Sequence, residues 1–377
     1  MSVTLSHQSA LDVMRTLRCE GLIMSDMDVV SLASPSAWVG NRLGMNNFSS
    51  DVWNWQQPTA NRPLHILVPR AKDRTRGKTV VAHVACSDLP ADSVLWLDEH
   101  ASIVCPELLF LQMAESFSLP ALVMLGLELC GHFSRHPYAP LASDVVDGIP
   151  AATSVKRLKT YLSSFKWVRG LDKARVALQY VCDHAVSAPE AVLATMYGLP
   201  PAEGGYGLGP VRLNERVELG DTGALGKAKN RYPDLMFDFA ALGLNYDGAK
   251  HFDVMDLMDA AEAFARSEGA ERDAARNALR GKILLTRAKV IDDNLRDRQL
   301  AAQGRIVFSV TKEDLADVSH LDELTRQMLS CAQKVFGVDV ERYRDTLEST
   351  AFVRERGDLL RQLTPHRGAG ASSYGRM

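Results

Sequence analysis

In the first half of the chain, apolar positions predict a mixture of helices and short strands. Leu11, Met14 and Leu17 recur at helical spacing and predict a helix over residues 3–20. Apolar runs bounded by turn residues at 65–68, 79–84 and 94–97 predict a small sheet. Two helices are expected within residues 105–134, and two more at 155–166 and 171–186. We therefore predict a smaller α+β domain over residues 1–150, followed by connecting helices at 151–186.

From residue 187 onward the order of elements changes. A helix is predicted at 188–198, strands at 211–219, 235–239 and 244–246, helices over 254–303 ended by Gly304, and a buried strand at 306–310. A tight turn around Ala241 and Gly243 should join the second and third of these strands, and Thr311 should cap a further helix together with Asp314. This pattern predicts an α/β (α+β) domain at 187–340, with a central mixed sheet flanked by helices. Residues 341–377 should form a C-terminal helix and a disordered tail.

Composition narrows the classes of protein that the chain could represent. The net charge of -3 gives no overall attraction to nucleic acid, so any binding must come from local basic patches. One such patch is the basic run from Arg70 to Lys78, although charge runs of this kind are mostly solvated surface. The six cysteines are scattered without metal-ligand spacing, which indicates thiols in a reducing cytoplasm. The most apolar stretch, 119–130, is too short for a bilayer of about 30 Å, so no membrane association is expected.

The candidate chemistry lies in the segment from Arg231 to His251. Because side chains alternate across a strand, Asp234 should share one face of its strand with Asp238, and Asn245 should share one face of the next strand with Asp247. A hairpin can thus gather Asp234, Asn245 and Asp247 on its polar side. Several oxygen ligands at one point suit Mg²⁺, which could activate a water and stabilise charge on a phosphate. Taken singly, Asp234 after a proline and Asp247 before a glycine are also ordinary turn residues.

The order of these motifs resembles that of the Vsr-like endonucleases, a group with the PD-(D/E)xK nuclease fold, and of the nuclease-like domains at the C-terminus of AbiEi-antitoxin-like bacterial proteins. The resemblance covers about residues 187–316 and rests on Glu190, Pro233-Asp234, Asn245-x-Asp247-Gly248, His251, Asp292, Asp293, Arg296, Arg298, Gly304 and Thr311-Lys-Glu-Asp-Leu315. It implies a restriction-endonuclease-like fold and DNA as the partner. It also implies catalytic roles for Glu190, Asp234, Asn245, Asp247 and His251, with a magnesium ion held by Asp234, Asn245 and Asp247. Lys250, Arg296 and Arg298 would contact nucleic acid.

Two departures separate this sequence from that pattern. Asn245 stands where the family has a glutamate, and an amide brings no negative charge to a metal. An insertion of about residues 254–285 follows His251. Two functions are therefore predicted, a divalent-metal-dependent endonuclease with a weakened site, or a catalytically inactive DNA-binding or antitoxin-like transcriptional regulator. A protein-interaction module without a nucleic-acid role is a third reading.

Several of the named residues also have simpler interpretations. Ser187 and Glu190 have the spacing of a capping box. Lys250 could be a solvated loop residue, and a lone histidine such as His251 is more often structural. Arg296 and Arg298 could belong to a solvated helix face with local ion pairs.

Overall fold

The computed structural model describes residues 3–33, 58–74, 77–86, 89–137, 145–219, 230–247 and 254–364. Arg76, Lys250, His251 and the tail predicted after residue 364 lie outside these ranges. The chain divides into two compact units, residues 1–210 with 361–377, and residues 211–360. Both contain helices and sheets, so the predicted mixed α/β class is confirmed.

The first unit contains a five-stranded mixed sheet in the order β3-β2-β1-β5-β4. Its strands are β1 (Val3–Leu5), β2 (Leu64–Val68), β3 (Val80–Val84), β4 (Val94–Trp96) and β5 (Ala101–Val104). β1 lies at the centre, antiparallel to β2 and parallel to β5. The three strands predicted for this region are confirmed. Residues 3–5 were predicted to be helical, and this is wrong because they pair on both sides with strands distant in the sequence.

Helices cover the apolar part of the first unit. They are α1 (His7–Cys19), α2 (Pro106–Met113), α3 (Leu119–Leu129), α4 (Val155–Ser163), α5 (Leu171–Ala177) and α6 (Ala188–Gly198), and a small ribbon is formed by β6 (Phe133–Arg135) and β7 (Val145–Asp147). The predicted helices at 105–134, 155–166, 171–186 and 188–198 are found with changed ends, apart from the last, which agrees with α6. No helix in the described ranges is long and apolar enough to cross a membrane.

The apolar helix α3 carries one buried charge. Glu128 is 1% exposed, and its carboxylate accepts hydrogen bonds from Arg15 Nε at 2.9 Å and Arg15 Nη2 at 2.6 Å. The backbone N–H of Arg135 donates to the same carboxylate at 3.1 Å. This buried ion pair joins α3 to α1 and explains how an otherwise apolar helix can hold a glutamate in the core.

The boundary between the units lies after α6 rather than before it. The hydroxyl of Thr195 in α6 donates to Met124 Sδ of α3 at 3.0 Å, and Val192, Leu193 and Met196 are buried. Because α6 packs in this way on the helices of the first unit, the second unit begins at Val211. The division expected from the sequence began it at residue 187 and treated 151–186 as a separate connection.

The second unit is built on a four-stranded mixed sheet in the order β13-β12-β11-β8. Its elements are β8 (Val211–Leu213), β9 (Val217–Glu218), β10 (Asn230–Arg231), β11 (Leu235–Phe237), β12 (Leu242–Asp247), α7 (Val254–Arg266), α8 (Gly269–Ala302), β13 (Ile306–Thr311), α9 (Val318–Phe336), α10 (Glu341–Glu348) and α11 (Thr350–Leu363). β8, β11 and β12 are antiparallel, whereas β12 and β13 are parallel. A parallel pair needs a crossover connection, which α7 and α8 provide.

Two local predictions in the second unit are wrong. Gly243 lies within β12 and not in a turn, and an added Cβ would stand 2.4 Å from Met236 Sδ and 2.6 Å from the carbonyl oxygen of Leu235. Thr311 does not cap a helix. Asp314 Oδ2 accepts from its backbone N–H at 2.7 Å and closes a turn, and α9 begins later, after the N-cap Asp317.

Candidate functional site

The predicted hairpin of β11 and β12 brings two of the proposed site residues together. Leu235 pairs with Leu244, so Asp234 lies opposite Asn245 at the open end of the hairpin. The backbone N–H of Tyr246 donates to Asp234 Oδ2 at 2.6 Å, and the backbone N–H of Asp234 donates to Asn245 Oδ1 at 3.3 Å. These two hydrogen bonds fix the start of β11 against the end of β12. The Asp234 side chain is thereby held beside the last residues of β12.

The electrostatics of Asp234 show that the carboxylates are near each other. Burial raises the pKa of Asp234 to about 6, the backbone N–H of Tyr246 and the charge of Arg296 oppose this, and the charge of Asp247 adds to it. Asp247 is the last residue of β12, one position after Tyr246, and its charge acts on the Asp234 carboxylate that the Tyr246 N–H holds. A buried carboxylate that stays ionised at neutral pH beside an acidic neighbour is a group that a cation would stabilise.

Asn245 is used for structure. Its side chain is in the core, with the residue 1% exposed, and its carbonyl oxygen accepts from the Asp234 N–H. A carbonyl oxygen committed to the hairpin in this way is a poor candidate for a third metal ligand. Asn245, which the sequence predicts to be a weak metal ligand, therefore serves to position Asp234.

Helix α8 supplies the other charged groups around these carboxylates. Burial lowers the pKa of Lys289, and the charges of Asp293 and Asp247 partly oppose this effect. The ammonium of Lys289 is therefore close enough to the end of β12 to interact with Asp247. Arg296 makes ion pairs with Asp293 at 3.3 Å and with Asp297 at 3.6 Å. Burial raises the pKa of Asp297, and the charge of Asp247 adds to this increase. The site thus combines carboxylates from two strands with cations from a helix.

Lys289 was not predicted as a site residue, although it belongs to a pattern of charged residues at helical spacing. Lys289, Asp293, Arg296 and Asp297 follow one another at i, i+4, i+7 and i+8, which places them along one face of a helix. Charges repeated at this spacing were expected to be a solvated face. The local ion pairs of Arg296 agree with that interpretation, but its side chain is only 19% exposed.

Arg296 and Arg298 have different surroundings. Arg296 is partly buried, and its Nε has no hydrogen bond within the described part of the chain. Arg298 is exposed on the same helix. Nearby, Arg231 of β10 holds Asp292 through two hydrogen bonds of 3.1 and 2.9 Å and lowers the pKa of that carboxyl group. This pair attaches α8 to the strands that precede the hairpin.

Glu190 belongs to the first unit, and its carboxylate caps its own helix. Ser187 Oγ donates to Glu190 Oε1 at 2.7 Å, the backbone N–H of Val186 donates to Oε2 at 3.0 Å, and Ser187 is the N-cap of α6. Ser187 Oγ also accepts from the backbone N–H of Glu190 at 3.5 Å, so the N-cap interaction predicted from the spacing is present. A catalytic role for Glu190 stays a prediction, as do the roles of Lys250 and His251, which lie outside the described residues.

The donor set suits a divalent cation only in part. Among the residues that the structure describes, no three His, Cys, Asp or Glu side chains converge as metal ligands. Asp234 and Asp247 supply two carboxylates from the hairpin, and the raised pKa of Asp234 comes above all from its burial. Hard cations prefer oxygen ligands of this type.

Comparison of the chain with protein-family models, with curated proteins and with solved structures finds no significant match.

Proposed function

We propose that the second unit acts on DNA as a divalent-cation-dependent phosphodiesterase with a weakened site. The observation that carries this proposal is the hairpin geometry, which holds the Asp234 carboxylate against the end of β12, where Asp247 lies. The charges of Asp247 and Arg296 act on Asp234, and the charge of Asp247 acts on Lys289 of α8. Carboxylates that can bind a metal and cations that can bind phosphate are the two kinds of group that phosphodiester hydrolysis needs. The mixed sheet, with its helical crossover between β12 and β13, supports the expected restriction-endonuclease-like fold.

In this proposal Asp234 and Asp247 would hold the cation. A magnesium ion bound there would supply an activated water and neutralise charge on the phosphate. Lys289 and Arg296 would hold phosphate oxygens through charge-assisted hydrogen bonds. Asn245 keeps Asp234 in position through the Asp234 N–H. The predicted contributions of His251 and Lys250 would come from the segment that follows β12.

A nicking assay with supercoiled plasmid in Mg²⁺ or Mn²⁺ tests this function. Asp234→Asn and Asp247→Asn should each lower the rate on the order of 100-fold or more, because each removes a metal-binding charge. The matched control is Asp238→Asn. Asp238 lies at the other end of the same hairpin and forms an exposed pair with Arg212 at 2.8 Å, so its loss should leave both fold and cutting unchanged. Cutting that persists in Asp234→Asn would contradict the proposal.

A second function, a nuclease-like fold that binds DNA without cutting it, is favoured by Asn245. A neutral amide in the core gives a bound metal no charge, and its carbonyl oxygen is already engaged. The protein would then act as an inactive DNA-binding or antitoxin-like regulator.

Asn245→Glu separates these two functions. If the site is a nuclease weakened by one substitution, the variant should cut plasmid faster than the natural protein, and Mn²⁺ should raise its melting temperature by more. If the site has no metal, the added charge is buried without a partner, so the variant should be destabilised and Mn²⁺ should not rescue it.

A further inference from the structure

The first unit carries a concentrated positive charge that the proposed function does not use. Residues 155–177, which form α4, α5 and the loop between them, contain seven lysines and arginines and a single acidic residue, Asp172. The chain as a whole has a net charge of -3. A local excess of this size in an acidic protein marks a surface for an anionic partner.

A tryptophan stands in the middle of this charge. Trp167 lies in the loop between α4 and α5, and it is 97% exposed. Tryptophans are highly buried on average because of their large apolar area, so one held wholly in solvent is unusual. The loop is anchored on both sides, since Phe165 and Leu171 are 4% and 2% exposed. Trp167 is thus presented from a fixed base.

The cations lie around this tryptophan. Lys166 precedes it and is exposed, and Arg169 follows it at 84% side-chain exposure, in a pair with Glu115 whose nearest atoms are 3.5 Å apart. Arg175 Nη2 donates to the carbonyl oxygens of Phe165 at 3.0 Å and Leu162 at 3.4 Å, so its guanidinium stands at the end of α4 where the loop begins. Because these carbonyl groups carry no net charge, they do not neutralise the positive charge of Arg175.

Helix α4, which leads into this loop, adds further exposed cations. Lys156 and Lys159 are exposed one turn apart, whereas Leu158, Tyr161 and Leu162 of that helix are buried. Two cations of the segment are used internally, because Arg157 pairs with the buried Glu107 at 3.0 Å and Lys173 Nζ donates to the carbonyl oxygen of Phe117 at 2.8 Å. The remaining members define what we call the Trp167 face, which consists of Lys156, Lys159, Lys166, Trp167, Arg169 and Arg175.

We propose that the Trp167 face binds single-stranded nucleic acid, with an unpaired base stacked on the indole and successive phosphates held by the lysines and arginines. An exposed aromatic ring among cations is the combination by which proteins bind single strands without sequence preference. A duplex offers the charge but no free base, so the tryptophan favours a single strand. An anionic membrane fits less well, because Leu158, Tyr161 and Leu162 of α4 face the core, and the exposed apolar side chains Trp167 and Val176 offer little area for insertion.

Fluorescence anisotropy of a labelled oligo-dT of about 20 nucleotides, with the full-length protein, tests this proposal. Trp167→Ala should weaken binding roughly 5- to 100-fold, the range measured for loss of a base-stacking contact, and Trp167→Phe should retain most of the affinity. The side chain is exposed, so an unchanged melting temperature will show that the variant is folded. The matched control is Trp96→Ala, which removes another exposed tryptophan, 48% accessible, from the same unit.

Salt dependence tests the cations separately. Replacing Lys159, Lys166 and Arg169 together by glutamine removes three phosphate contacts, and the slope of log K against log salt should become shallower by about 2. The control replaces Lys312, Lys334 and Arg354, three exposed cations that lie outside this face and outside the basic run from Arg70 to Lys78, and should leave the slope unchanged.

Three results would overturn the proposal. One is equal binding of oligo-dT by Trp167→Ala and the natural protein, and another is an equal loss of salt dependence in the two triple variants. The third is tighter association with phosphatidylserine vesicles than with oligo-dT, abolished by Trp167→Ala, which would identify a membrane surface. The proposal is independent of the nuclease proposal, because Asp234→Asn should abolish cutting and leave binding to oligo-dT unchanged.

Discussion

At the scale of single residues, Asp234 carries a cost in stability that its structural contacts do not explain. Burial raises its pKa from 3.8 to about 6, so at neutral pH the folded protein holds a carboxylate that would be better solvated in the unfolded chain. Proteins often keep such groups where a ligand or a reaction needs the charge. Asp234 therefore has the energetic character expected of a site residue.

We expect Asp234→Asn to stabilise the second unit at pH 7. Asparagine can still accept the Tyr246 N–H, and it removes a penalty of at most about 3 kcal/mol, since each pKa unit corresponds to about 1.4 kcal/mol. The folded pKa lies above the unfolded one, so the natural protein regains this stability as pH falls through 6, fully so below 3.8. Urea unfolding should therefore show a higher free energy of unfolding for Asp234→Asn than for the natural protein at pH 7, and a much smaller difference at pH 4. A destabilised variant at pH 7 would mean that the carboxylate charge is structurally paired.

The sequence identified the two carboxylates and Arg296, but not Lys289 beside them. Asp234 and Asp247 lie close to each other in the chain, and the period of a strand is enough to place them on one face. Lys289 reaches the same point through a long crossover helix, and no local pattern relates its position to β12. The role of Asn245 was also hidden, because its contact with the Asp234 N–H depends on the register of the hairpin.

At the scale of elements, buried ion pairs fix the helices. Arg15 and Glu128 join α1 to α3 in the first unit, and in the second unit Arg356 of α11 holds Asp322 of α9 with two hydrogen bonds of 2.9 and 3.1 Å. Breaking such a pair on one side leaves a buried charge without compensation, which is more harmful than losing an exposed pair.

Glu128→Gln should lower the free energy of unfolding by about 3 to 5 kcal/mol, because the Arg15 guanidinium would keep its charge in the core without a carboxylate. The comparison is Glu262→Gln, which removes an exposed partner of Arg266 on α7 and should change stability by less than about 1 kcal/mol. Chemical denaturation followed by circular dichroism measures both. Similar values for the two variants would show that the Arg15–Glu128 pair contributes little.

Elements were predicted well where local features and tertiary packing agree. Helix α6 has a serine N-cap, a glutamate at the third position and a buried apolar face, and its bounds follow from the sequence. Residues 3–5 were included in a helix predicted from the spacing of Leu11, Met14 and Leu17, whereas pairing with β2 and β5 makes them a strand. Position 311 shows the same limit, since a threonine and an aspartate at capping spacing also form a turn.

At the scale of the whole molecule, the two units contain groups with opposite responses to acid. In the first unit, His7, His65 and His83 stack together, with His65 Nδ1 and His83 Nε2 at 2.9 Å and the His7 and His83 ring centroids at 3.5 Å. Burial lowers the pKa of His7 to about 3 and of His83 to about 4, helped in each case by neighbouring histidines, and it also lowers the pKa of His65. The second unit contains Asp234, whose pKa is raised.

Lowering the pH from 7 to 5 should therefore destabilise the first unit and stabilise the second. Histidines with depressed folded pKa values contribute stability above 6.5 that is lost progressively as pH falls from 6.5 to their folded values, because only the unfolded chain takes up the proton in that range. Asp234 instead regains stability as pH falls through 6. Scanning calorimetry at several pH values should show the transition of the first unit moving down in temperature and that of the second moving up. His83→Gln should reduce the first shift and leave the second unchanged. Parallel shifts of both transitions would refute this assignment.

The tight contact at Gly243 limits how this sequence can vary. Any side chain there would collide with the backbone of the neighbouring strand, so the hairpin admits glycine alone at that point. In a library of random variants sorted for folding, position 243 should be depleted of every alternative, while 234 should accept asparagine. When the same library is sorted for DNA cutting, position 243 should stay restricted to glycine and position 234 should become restricted to aspartate. A position that tolerates substitution in the selection for folding but not in the selection for cutting has a chemical role. A position that tolerates none in either selection keeps the strands in register.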